Sequence, residues 1–162
     1  MNLFFVRHGQ SEANVIRIFS NRGIKHALTD KGKQQAAKVA NYLSEYQIDA
    51  VYSSTLLRAQ QTAEAISGKS CIPYTTTDSL LEIDFGILEG RYYHDKDPHF
   101  SNLMLSWFIH KNYDYKIEES ESYSDVKDRF VPFIENLKNS SKKNIVLVGH
   151  GALFRFMLPE IF

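Results

Sequence analysis

A chain of 162 residues, 43% hydrophobic and 23% charged, is long enough for one domain with a sizeable buried core and too ordinary in composition for a fibrous or disordered protein. Its 19 basic residues balance 19 acidic ones, which removes any global electrostatic case for nucleic acid or an anionic membrane as partner, so an anion site must be local. The lone Cys71 excludes an internal disulfide, no paired Cys/His spacing suggests structural zinc, and the N-terminal apolar run is broken at Arg7 with no basic region before it; neither a signal peptide nor a membrane span is expected, and the compartment expected is the cytoplasm.

In chain order, residues 3–6 form a short, apolar, β-prone run that reads as a buried strand, with Gly9 permitting the turn that ends it. Residues 16–27 are polar and contain glycine, hence a loop, and Leu28-Thr29-Asp30 supplies capping residues for a helix on which Ala36, Ala37, Val39, Ala40, Leu43 and Tyr46 recur at helical spacing. Residues 49–52 read as a second strand, and Ser53-Ser54 as the cap of a helix over 55–66. Residues 72–76 are β-prone and form a third strand that delivers 80–90 to the same edge.

Between 91 and 121 the pattern loosens into a segment dense in aromatics, helical around 100–109. It reads equally as a substrate-shaping lid and as an excursion packing its rings on the domain. Residues 122–137 are amphipathic, with Pro132 expected to bend the helix, and 144–148 form an almost wholly apolar strand ending in Gly149-His150-Gly151. Alternating strands and helices predict an α/β fold with a mostly parallel sheet.

Two of these strands run out into a histidine flanked by glycine, His8 and His150. In open α/β sheets the carboxyl ends of the strands border the ligand crevice, so the two histidines are expected in one site. Arg7 adjoins the first, and Arg58 falls early in the helix after the second strand, where the helix amino terminus adds its own positive field. Arg7, Arg58, His8 and His150 would then form a cationic cluster whose natural occupant is a tetrahedral phosphoryl group.

The motifs Arg7-His8-Gly9 with Asn14, Tyr52-Ser53-Ser54 with Arg58-Ala59 and Gln61-Thr62-Ala63, Leu81-Glu82 with Gly86 and Glu89-Gly90, and Gly149-His150-Gly151 resemble the histidine phosphatase superfamily, also called the phosphoglycerate mutase-like family, from Phe4 to the chain end. The resemblance implies a three-layer α/β/α sandwich and a phosphatase that uses no metal or other cofactor. On these residues it implies that His8 is phosphorylated and that Glu82 is the acid/base. Phosphate would be held by Arg7, His8, Asn14, Arg58, His150 and Gly151.

The chemistry can be followed on these side chains. A neutral His8, its other ring nitrogen bonded to the Gly9 carbonyl, would displace the alcohol of a phosphate monoester, and water would hydrolyse the phosphohistidine. Glu82 would protonate the leaving alkoxide, kept protonated by burial beside Leu81 and Phe85, with Asp84 and Glu89 as rival acids. His26, His94, His99 and His110 match no motif and read as surface or packing residues.

The expected substrate is a small phosphorylated metabolite. The nearest rival is a mutase or bisphosphatase of the same family, though Ile83-Asp84-Phe85-Gly86 differs from the Arg-His-Tyr-Gly run associated with the mutases; a non-catalytic phospho-ligand binding module is a rival of another class. In the resembling family further chain follows the helix after the second histidine. The ending Pro159-Glu160-Ile161-Phe162 therefore reads as a domain lacking its C-terminal end, whose uncovered sheet edge would invite pairing with another chain, for example as a dimer.

Overall fold

A computed structural model describes residues 1–23, 25–94 and 97–162. The elements are β1 (Asn2–Arg7), α1 (Glu12–Ile16), α2 (Asp30–Leu43), β2 (Ala50–Ser53), α3 (Leu57–Ser70), β3 (Tyr74–Thr76), α4 (Pro98–Phe108), α5 (Tyr123–Lys138), β4 (Asn144–Gly149) and α6 (Gly151–Met157). The four strands pair in parallel in the order β1-β4-β2-β3, so the two strands that end in histidines are neighbours, with Arg7 opposite Gly149.

Side chains alternate across a strand, and β4, flanked on both sides, shows what that does here. Ile145 and Leu147 enter one core with Leu80, Trp107, Phe130, Ile134 and Leu153, whereas Val146 and Val148 enter the other with Val51, Ala59, Ala63 and Ile66. Helices α2 and α3 cover one face; α4, α5 and α6 cover the other. The result is the three-layer α/β/α arrangement expected.

Several local expectations are revised. Residues 12–16, unassigned in the sequence reading apart from the start of the loop, form α1, and of the 16–27 loop residue 24 lies outside the described residues. Ser53 and Ser54 do not cap α3, whose N-cap position is Leu56; the Ser54 hydroxyl is engaged by His150 instead. Ala37 and Tyr46 are exposed, Tyr46 lying beyond α2 against the Phe4 ring. The helix expected over 122–137 is α5, which ends at Lys138 and holds Pro132 inside it as read from sequence.

The aromatic segment, of which 95 and 96 lie outside the described residues, divides its work. Trp107 and Leu103 are buried in the core, whereas Phe100 and Tyr93 cluster with Phe19 and Phe85 toward the site. Among the described residues no helix is long and apolar enough to cross a membrane.

Gly9 follows β1 for a steric reason rather than for the conformational freedom the sequence reading assigned it. A Cβ there would stand 2.4 Å from the Gly32 carbonyl oxygen, and a Cβ on Gly32 would stand 2.0 Å from the Gln10 carbonyl oxygen, so two backbones meet with no room for a side chain. Gly9→Ala is expected to destabilise the fold by about 1–3 kcal/mol, read as a lowered thermal midpoint; an unchanged midpoint would show that α2 can move aside.

Candidate active site

The parallel pairing of β1 and β4 sets the histidines side by side. The His8 backbone N–H donates to the Gly149 carbonyl at 3.0 Å, and the ring centroids of His8 and His150 are 5.0 Å apart. Arg7, His8, Asn14, Arg58, Glu82 and Gly151 all line one cavity of about 490 Å³, and His150 is fully buried beside His8. The expected residues from four separated motifs therefore converge.

His8 Nδ1 lies 2.7 Å from the Gly9 carbonyl oxygen. A carbonyl only accepts, so Nδ1 carries the proton and Nε2 keeps its lone pair. That lone pair accepts from Arg58 Nε–H at 3.1 Å. Burial first, then the charge of Arg58, pushes His8 down to about 3, with the Gly9 bond opposing and Arg7 adding to the fall. Its imidazole is neutral at neutral pH.

His150 is pushed well below the ordinary histidine range by burial first, then by His8 and by the arginines Arg58, Arg129 and Arg7. Its Nε2 is 2.8 Å from Ser54 Oγ, which also accepts from Leu56 N–H at 3.3 Å. Donation from the Ser54 hydroxyl to Nε2 would leave the proton on Nδ1, a buried atom with no hydrogen-bond partner among the described residues. His150 can thus offer a neutral N–H donor.

Arg58, only 4% exposed, spends Nη2 on the Ser20 carbonyl at 2.7 Å and Nε on His8, while its buried Nη1 has no partner among the described residues. Burial lowers its pKa, and Glu82 and Glu89 oppose that through space. Thr62 stands behind it, accepting from Gly9 N–H at 3.2 Å and donating to the Arg58 carbonyl at 2.9 Å. Arg7 makes no side-chain hydrogen bond or ion pair among the described residues, and Gly151 makes room for it: a Cβ at 151 would lie 3.2 Å from Arg7 Nε. Asn14 uses Oδ1 to accept from Ser11, leaving its amide N–H groups to offer.

Glu82 is half-buried. Its Oε1 accepts from Leu153 N–H at 2.8 Å and Ile83 N–H at 3.0 Å, and Oε2 from Ala152 N–H at 3.2 Å. Backbone donors, and not the apolar pocket of Leu81 and Phe85 expected from sequence, are what its oxygens meet. The rival acids are engaged elsewhere: Asp84 pairs with Arg22 at 2.8 Å, and Glu89 accepts from Asn21 N–H at 2.7 Å. His94, His99 and His110 are exposed and His26 lies 3.9 Å from Glu12; none lines the cavity.

Two contributors, Asn21 and Arg129, lie outside the motifs read from sequence, and Ser54, part of the Tyr52-Ser53-Ser54 motif, has a role other than the helix cap expected. Ser54 orients His150, as above. Asn21, 8% exposed, lines the cavity with a buried Nδ2 that has no partner among the described residues. Arg129, on α5, pairs with Glu121 at 2.7 Å and donates to the carbonyls of Asp78, Ser79, Leu81 and Glu82 at 3.1–3.4 Å, clamping the segment that carries Glu82. None of these contacts is signalled by local spacing, because each spans more than 30 residues of chain.

A family profile described as the histidine phosphatase superfamily (branch 1) matches residues 3–162. The chain belongs to that superfamily. It is 32% identical over 160 residues to the 6-phosphofructo-2-kinase/fructose-2,6-bisphosphatase of Aquarana catesbeiana, a match covering 97% of this chain but 32% of that longer protein. It therefore spans about a third of such a bifunctional relative.

Among solved histidine phosphatase folds, the α-ribazole phosphatase of Shigella flexneri superposes with a TM-score of 0.81 at 26% identity, covering 99% of this chain and 79% of that one. A mycobacterial glucosyl-3-phosphoglycerate phosphatase gives 0.81 at 25% identity, covering 98% and 77%.

Arg129→Met would free the carbonyls of the 78–82 segment and leave Glu121 without its guanidinium. The expected loss is about 2 kcal/mol in urea unfolding, and a loss near zero would mean that the clamp is dispensable. A second measurement concerns His8. In the unfolded chain it protonates below about 6.5, whereas in the fold it stays neutral to about 3. Its contribution is therefore intact above 6.5 and falls as pH drops through that window. Wild type should lose roughly 1–2 kcal/mol relative to His8→Gln between pH 7 and pH 5, and parallel losses would contradict a buried neutral ring.

Proposed function

We propose that this chain is a phosphatase that hydrolyses the phosphate monoester of a small metabolite through a phosphohistidine on His8. The observation that carries the reading is the His8 ring: Nδ1 is committed to a carbonyl, Nε2 holds a lone pair, and the ring is neutral inside a cavity rich in guanidinium groups. A neutral imidazole nitrogen facing donors for phosphoryl oxygens suits in-line displacement at phosphorus.

In the first step Nε2 bonds to phosphorus as the phosphorus–oxygen bond to the alcohol breaks. Arg58 turns its N–H groups from the His8 lone pair to the phosphoryl oxygens, joined by Arg7, the Nδ1–H of His150 and the Asn14 amide. Glu82 in its protonated form hands a proton to the departing alkoxide. In the second step the carboxylate takes a proton from water as that water attacks phosphorus, the P–Nε2 bond breaks, and phosphate leaves.

The similarity to proteins named as phosphatases supports hydrolysis over phosphoryl transfer between hydroxyls. One exposed cysteine suits the reducing cytoplasm, which we infer as the compartment.

The test is hydrolysis of p-nitrophenyl phosphate in excess chelator. Wild type should turn over at a rate chelator does not change, His8→Ala should lose at least about a thousandfold, and Glu82→Gln about a hundredfold or more, the loss in the second growing with the basicity of the leaving alcohol. An active, folded His8→Ala protein would rule out the phosphohistidine.

A further inference from the structure

We propose that the alcohol released from the substrate carries a flat aromatic ring, aryl or heteroaryl, close to the ester oxygen, and that Phe19, Phe85, Tyr93 and Phe100 receive it. This rests on the phosphatase reading above and names the class of substrate the same cavity takes.

The four rings form one wall. Phe19 touches Phe85 and Tyr93, and Phe100 touches the same two, with centroids 5.2–5.7 Å apart and interplanar angles of 61–77°. That closed circuit of edge-to-face pairs is the geometry aromatic quadrupoles favour, and it fixes each ring through two neighbours. All four line the cavity that holds His8 and Glu82, and Phe156 on α6 adds a fifth ring. Rings that served the core alone would be sealed from solvent; Tyr93 is 36% exposed and Phe100 half-buried. Phe85 stands three residues from Glu82, the group that would protonate the departing alkoxide. Phe19 immediately precedes Ser20, whose carbonyl holds Arg58. The wall is thus joined to the segments that carry the acid and brace the arginine, and a ring close to the departing oxygen falls within the cavity.

The polar groups argue against a polyol. A leaving group rich in hydroxyls needs acceptors for its O–H groups. Among the described residues of the cavity wall the one carboxylate is Glu82, already met by three backbone N–H groups. Asn14 Oδ1 serves Ser11, and the Ser20 carbonyl serves Arg58. The wall further offers Arg17 and Arg155, which donate only, and their guanidinium groups lie 5.8 Å from the centres of the Tyr92 and Phe156 rings. Flat guanidinium groups and ring edges both suit a π surface. A volume of about 490 Å³ exceeds what a phosphoryl group fills and admits a ring beside it.

The probes are 2-phenylethyl, 2-cyclohexylethyl and 2-hydroxyethyl phosphate, whose leaving groups are all primary alkoxides, with p-nitrophenyl phosphate as the control for chemistry. Wild type should favour the phenyl probe by about tenfold or more in kcat/KM over the hydroxyl probe and by severalfold over the cyclohexyl probe. In Phe100→Leu and Tyr93→Leu the phenyl-to-hydroxyl ratio should fall toward one, and Tyr93→Phe should retain it. Tyr93, the more exposed of the two, supplies the variant whose folding is at least risk.

Turnover of p-nitrophenyl phosphate with no phenyl preference in wild type, a cyclohexyl probe as good as the phenyl one, or a preference that survives both Leu substitutions would overturn the aromatic subsite and leave the phosphatase reading standing. The same probes are titrated calorimetrically against wild type and Tyr93→Leu. If nothing is hydrolysed, tighter binding of the phenyl probe that is lost in the variant upholds the subsite while hydrolysis falls, and equal binding overturns the subsite as well.

Discussion

Arg58 is the group on which this architecture turns: a guanidinium 4% exposed, with no carboxylate bonded to it among the described residues. Burying such a charge costs several kcal/mol unless fixed dipoles compensate, and the compensation here is the Ser20 carbonyl and the His8 lone pair. Both require long-range order. Ser20 lies on the segment tied down by Phe19 N–H to the Arg91 carbonyl and Asn21 N–H to Glu89, and His8 is oriented by Gly9 and by β4. The same Arg58 charge helps keep His8 neutral, so the residue that binds an anion also sets the state of the proposed nucleophile.

Around that centre the sheet acts as a jig. Parallel pairing of β1 with β4 brings residues more than 140 positions apart into register, and the two glycine-flanked histidines end up side by side because both strands terminate at one level. The faces of β4 then anchor two helical layers, so movement of either histidine would disturb both cores. Glu82 reaches the site differently. It rides on an irregular segment whose carbonyls are clamped by Arg129 and whose carboxylate is held by the first turn of α6.

Beyond Asn14 on α1 and Gly151 on α6, the cavity wall includes Arg17, Tyr93, Phe100, Arg155 and Phe156, side chains that the proposed phosphoryl chemistry does not use. Such a division lets one chemical centre serve different substrates, because the walls can change without altering the strand ends.

Much was legible before any coordinates. Apolar runs of strand length alternating with helical periodicity specify layers, since each pattern can bury its apolar side in only one way, and a strand that ends in an arginine and a histidine must present them at its end. Those local rules located Arg7, His8, Arg58 and His150, and the resemblance to the histidine phosphatase superfamily pointed to Glu82. What they could not supply was partners. Ser54 looked like a helix cap and bonds a histidine 96 residues away; Gly9 looked like a turn residue and instead allows two backbones to meet; the carboxylate of Glu82, expected among apolar side chains, is met by backbone donors. Hydrogen-bond partners and close approaches between distant segments depend on distances set only when the layers pack, so they, and the convergence of Arg17 with Arg155 on one cavity, were decided by the tertiary structure.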